Sequence, residues 1–173
     1  MSSSTQSYFD PQSEKTQALL GQLTNKLKMR FYYLQQLPSM FWWGGKVQSC
    51  THLKSEITLP YSWRTQNPYE SIYFAAQAGA GEFSTGILAL IALNGRKDVS
   101  MLVVKQEAEF VKKANTLTTF TCEDGAAVID TIQKALDTGE GHTLMMTSVG
   151  RNDKGEEVST VRITWSFKRK RGK

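Results

Sequence analysis

The stretch from Asn67 to Leu90 reads N-P-Y-E-S-I-Y-F-A-A-Q-A-G-A-G-E-F-S-T-G-I-L-A-L, and it constrains the fold more than any other part of the chain. Six of the seven residues from Ala75 to Gly81 are Ala or Gly. A helix with so little side chain lets its backbone come close to a sheet, so it fits the floor of a curved one. Glu82 is the only carboxylate in the helix interior. A charged group at that depth calls for a partner or a purpose.

The elements around this helix follow from periodicity. Asp10-Pro11 reads as an N-cap and first helical position, and Leu20, Leu23, Leu27, Phe31 and Leu34 recur at helical spacing, which predicts a helix over 12–36 with Pro38 beyond its end. Gly44-Gly45 breaks the chain after Met40-Phe41-Trp42-Trp43. Leu53, Ile57, Leu59, Tyr61 and Trp63 alternate as a strand that runs into a central helix expected from Asn67 to about Leu93, where Asn94-Gly95 stops it. Val99–Val104 reads as a buried strand continuing through Phe110, Thr116–Cys122 as a Thr-rich strand, and Asp124 as the cap of a short helix ended by Gly139. His142–Val149 and Val158–Phe167 then flank a turn at Asn152-Asp153-Lys154-Gly155. The order predicts an α+β domain with helices on one face of a mostly antiparallel sheet. The expected organisation is a disordered segment 1–9, a single domain over 10–168 with its core in 40–168, and a basic tail 169–173.

Composition narrows the functional classes. The chain has 173 residues, is 40% hydrophobic, and carries a net charge of +5, much of it in Lys168-Arg169-Lys170-Arg171-Gly172-Lys173. Without that tail the body is neutral, so no nucleic-acid-binding body is expected. A weaker reading gives the tail itself a nucleic-acid or membrane-surface role. No apolar run approaches a membrane span and no leader is evident, while Cys50 and Cys122 read as reduced thiols, so the expected compartment is cytoplasmic.

From Asn67 to Glu82 the sequence resembles the hotdog fold, in which a curved antiparallel sheet wraps a long central helix. More closely, it resembles the uncharacterised branch of that superfamily related to the phenylacetyl-CoA thioesterase-like enzymes. The element order extends the resemblance over roughly 40–168, with the N-terminal helix an addition to the minimal fold. The family pattern sets an Asn before the helix, His-Gly-Gly at its start and an Asp or Glu within it. Here Asn67 and Glu82 keep the family separation (82 − 67 = 15), and Tyr73, Phe74 and Ala75 replace His-Gly-Gly. The resemblance implies hydrolysis of acyl-CoA or another acyl thioester by a homodimer or homotetramer. No cofactor is implied beyond the coenzyme A moiety of the substrate.

The resemblance carries roles to particular residues. Glu82 is the general base or nucleophile, and burial would raise its pKa toward working pH. Asn67 holds the attacking water or the thioester carbonyl. As sequence alone it reads equally well as the helix N-cap, with Glu70 closing a capping box. The N–H groups around Tyr73, Phe74 and Ala75 are the oxyanion donors, provided that the helix does not already begin at Pro68 and tie them up; Gln77 assists by hydrogen bonding. Arg64, Arg96, Lys97, Lys112 and Lys113 are candidates for the coenzyme A phosphates, each read alternatively as a solvated charge. Two His and two Cys without ligand spacing predict no metal site. The change from His-Gly-Gly to Tyr73-Phe74-Ala75 motivates the alternative of a non-catalytic acyl or acyl-CoA binding protein.

Overall fold

A computed structural model describes residues 7–170. The segment 1–6 and the tail residues 171–173 lie outside the described residues, and with them most of the segment expected to be disordered and the end of the basic tail. Ser7–Phe9, expected to belong to the disordered segment, are instead held against the domain: Phe9 is buried and the Tyr8 N–H donates to Gln133 Oε1 at 3.0 Å.

The single helix expected over 12–36 is two. α1 (Glu14–Thr24) is capped by Ser13 and α2 (Lys26–Gln36) by Asn25, whose side-chain oxygen accepts from the Leu27 and Lys28 N–H groups at 3.1 and 3.0 Å. An Asn that captures backbone donors ahead of it ends one helix and starts the next without breaking the hydrophobic spacing, which is why periodicity alone runs through it. Pro38 opens a further short helix, α3 (Pro38–Trp43), closed by Gly44 at φ 74°. β1 (Lys46–Cys50), absent from the sequence reading, pairs with β2 (Ser55–Leu59). The strand pattern expected through Trp63 stops at Leu59, and Leu53 and Trp63 are exposed.

After α4 (Phe74–Leu93) come β3 (Val99–Phe110), β4 (Thr118–Cys122), α5 (Gly125–Thr138), β5 (Gly141–Arg151) and β6 (Glu157–Arg169). The six strands form one curved sheet in the order β1-β2-β4-β5-β6-β3, antiparallel at every joint. β3 is therefore an edge strand, where the sequence suggested burial: Leu102 and Val104 are exposed, beside a bulge between Val103 and Lys105. β6 runs on into the expected tail as far as Arg169.

α4 lies in the sheet as its small residues predict. A Cβ on Gly81 would fall 2.6 Å from Val161 Cβ of β6, and one on Gly79 would fall 2.7 Å from the Trp43 ring. Side-chain bonds fix the helix to the sheet. Ser84 Oγ donates to Ser148 Oγ at 2.7 Å, Ser55 Oγ to the Ser84 carbonyl at 2.6 Å, and the Trp165 indole N–H to Thr85 Oγ1 at 2.9 Å. Its 20 residues have the length and hydropathy of a membrane span, yet 72% of its most apolar 18 residues are buried inside the domain.

Candidate active site

The chain between β2 and α4 sets where the helix begins. Asn67 does not cap α4. Its side-chain oxygen accepts from the Tyr69 and Ser71 N–H groups at 2.9 and 3.2 Å, and its own N–H donates to the Ser71 carbonyl at 2.8 Å, closing a tight turn. Glu70, expected at N3 of a capping box, sits in that turn with φ 58° and its side chain in solvent. The Tyr73 N–H is taken by the Thr65 carbonyl at 2.6 Å, Tyr73 becomes the N-cap, and Phe74 is the first helical residue.

This start leaves donors free. Among the described residues nothing accepts from the Phe74 or Ala75 N–H, and Tyr73 makes no side-chain cap bond. Two unpaired amides at the positive end of a 20-residue helix can polarise a carbonyl or hold an anion. They adjoin a groove of about 440 Å³ whose lining includes Asn67, Phe74, Gln77, Phe110, Lys112 and Lys113. Gln77 is buried and half satisfied: its amide nitrogen donates to the Ile72 carbonyl at 2.9 Å, while Oε1 has no partner among the described residues. The Phe74 ring lies edge-on between Tyr73, at 4.7 Å, and Phe110, at 6.3 Å, forming a wall of the groove. Phe110 reaches the site from the far edge strand, and no local pattern links it to a helix 36 residues earlier in the chain.

Glu82 stands apart from this groove. Eight residues beyond Phe74, it is about 12 Å further along the helix axis. Its carboxylate has no hydrogen-bond or ion-pair partner among the described residues, and it lies over Gly86, where an added Cβ would come within 3.6 Å of Oε1 and 3.5 Å of the Trp165 ring. Burial beside these groups pushes the Glu82 carboxyl above its ordinary value. Within one chain, Asn67, Gln77 and the free amides share a site, and Glu82 does not belong to it.

The five candidate cations separate. Lys113 donates to the Tyr69 carbonyl at 3.0 Å and Lys112 pairs with Glu156 at 2.6 Å, both beside the Asn67 groove. Arg96 and Lys97 follow the opposite end of α4, about 30 Å from its start by helix length, and Arg96 is held by Asp98 at 2.7 Å. Arg64 lies in a different cleft, against α2 and β1.

No family model matches the chain, and no curated protein matches it in sequence. Solved structures do. A Pseudomonas aeruginosa protein named a probable thioesterase superposes with TM-score 0.71 at 13% identity, covering 86% of this chain and 99% of that one. A Haemophilus influenzae thioesterase gives 0.63 at 11% identity, covering 84% and 91%. A Staphylococcus aureus thioesterase variant gives 0.58 at 16% identity, covering 75% and 97%. The superpositions cover most of this chain and nearly the whole of each of those, and the chain has the hotdog fold.

Proposed function

We propose that the protein hydrolyses an acyl thioester, with acyl-CoA the expected substrate. The reading rests chiefly on Glu82, a half-buried, unpartnered carboxylate with a raised pKa on the central helix of a hotdog fold. The architecture shared with thioesterases supports it. So does the Staphylococcus aureus protein, solved with a glutamine and, separately, a glutamate replaced by alanine, at positions fifteen apart like Asn67 and Glu82.

In this mechanism the thioester carbonyl oxygen sits on the Phe74 and Ala75 amides, with the Asn67 side-chain amide or Gln77 Oε1 placing the water. Glu82 takes a proton from the water as its oxygen bonds to the carbonyl carbon. The C–S bond then breaks, and the departing thiolate accepts that proton from Glu82. In the nucleophilic variant the carboxylate attacks the carbonyl carbon, the C–S bond breaks to release the thiolate, which takes a proton from solvent, and water hydrolyses the resulting anhydride to regenerate the carboxylate. Lys112 and Lys113 are the phosphate contacts nearest the groove. Glu82 is too far from its own helix start for this chemistry, so the site requires a homodimer. Pairing of the β3 edge about a two-fold axis sets two α4 helices antiparallel and brings the Glu82 of a second copy toward the groove.

The exposed Tyr73 and Phe74 rings favour a second reading, a protein that binds acyl thioesters without turnover. Thiol release from a panel of acyl-CoA esters separates the two. Release by wild type and loss in Glu82→Ala is the expected result. Saturable binding with no release by wild type would establish the second reading, and undiminished release by Glu82→Ala would remove Glu82 from the mechanism.

A further inference from the structure

One long stretch of the chain carries only positive charge, and part of it lines a cleft. Between Glu14 and Glu56 there is no Asp or Glu, while Lys15, Lys26, Lys28, Arg30, Lys46 and Lys54 all occur there. Of these, Lys54 pairs with Glu56 and Glu123, and the other five form no ion pair among the described residues. α2 turns Met29 and Tyr33 inward and leaves Leu27 and Phe31 exposed at 65% and 59%, with Leu34 completing the outer stripe. Trp42 of α3 and Trp63 of the β2–α4 connection meet edge-on at 5.6 Å, and both face solvent.

Between α2, α3 and β1 opens a cleft of about 510 Å³. Four cations line it, Lys26, Arg30, Lys46 and Arg64, and no acidic residue does. None of the four forms an ion pair among the described residues. Arg30 instead rests over the Phe41 ring at 5.0 Å. Leu23, Met29, Phe41 and Val47 supply apolar lining. Tyr33, also in the lining, is 4% exposed and its hydroxyl has no hydrogen-bond partner among the described residues.

We propose that this face docks on an anionic phospholipid surface, the cleft taking a phosphate-bearing headgroup while Leu27, Phe31, Trp42 and Trp63 enter the interface. Unpaired Lys and Arg beside exposed Trp, Phe and Leu is the composition of an interfacial helix. A second copy is the wrong occupant, because a two-fold contact would set these cations against themselves with no acid to meet them. Nucleic acid would leave the aliphatic Leu27 and Leu34 without a use, since bases stack on rings. The inference is independent of the hydrolase reading, for it involves neither Asn67 nor Glu82.

The test is co-sedimentation of the full chain with phosphatidylcholine vesicles, with and without phosphatidylserine. Wild type binds the anionic vesicles, less so as salt rises. Lys26→Glu/Arg30→Glu weakens that binding about tenfold or more, and Lys26→Arg/Arg30→Lys retains it. Leu27→Ser/Phe31→Ser also weakens it, while thermal melts matching wild type show that these surface variants fold. The C-terminal tail is present in every variant and cannot account for a difference among them. Equal binding to both vesicle types, or no effect of the charge reversal, overturns the proposal. So does binding of RNA or inorganic phosphate without vesicles, or a self-association that the variants abolish.

Discussion

Replacing Gly81 by Ala tests how closely α4 lies on the sheet. The added Cβ would stand 2.6, 2.7 and 3.0 Å from Val161 Cβ, Cγ2 and Cγ1, all shorter than ordinary contact. Val161 is fully buried, β-branched and paired on both sides, with Ala108 of β3 and Ser148 of β5, so it cannot move aside cheaply. Overpacking of this kind costs about 1–3 kcal/mol. Against it, Gly to Ala within a helix gains about 1 kcal/mol. Gly21 of α1 separates the two terms, because a Cβ there meets nothing within 4 Å. Gly21→Ala should therefore stabilise, and the gap between the two variants should equal the steric term, about 1–3 kcal/mol. Urea unfolding of both gives that gap, and each kcal/mol moves Tm by about 2–4 °C in a chain of this size. In the Gly81→Ala background, Val161→Ala should cost less than it does alone, the mark of a direct contact. A Gly81→Ala protein stabilised as much as Gly21→Ala would refute the close approach of helix and sheet.

Two further substitutions divide structure from chemistry at the site. Asn67→Asp keeps an oxygen for the Tyr69 and Ser71 N–H groups but removes the amide donor. It should unfold like wild type yet lose about 100-fold in thiol release, and wild-type turnover by this variant would dismiss Asn67 as a donor to the substrate. Glu82→Gln should flatten part of the pH dependence of stability. With the folded carboxyl raised above its ordinary 4.5, the unfolded chain releases this proton first as pH climbs, so wild type loses stability from about that pH until the folded value is passed. The stability difference between Glu82→Gln and wild type should widen over that window in urea titrations, and a difference constant with pH would show Glu82 to be unperturbed.

The sequence determined the helix that defines this protein. Six small residues in the seven from Ala75 to Gly81 admit little except a helix pressed on a sheet, and Gly81 against Val161 is that contact realised. The Asn94-Gly95 stop, the 152–155 turn and the antiparallel order of the later strands are equally local, since turn chemistry and period-2 alternation act over a few residues. The start of the same helix was beyond local reading. Asn67-Pro68-Tyr69-Glu70 is as good a helix cap as it is a turn, and the choice fell to the Thr65 carbonyl taking the Tyr73 N–H and the Ala114 carbonyl taking that of Ile72. Those distant bonds move the first free amides to Phe74 and Ala75. Tertiary structure alone likewise put β3 at the edge, because burial of an alternating strand depends on whether a neighbour arrives to cover it. It also separated Arg64 from Lys113, since charge in a sequence carries no record of which face it will occupy.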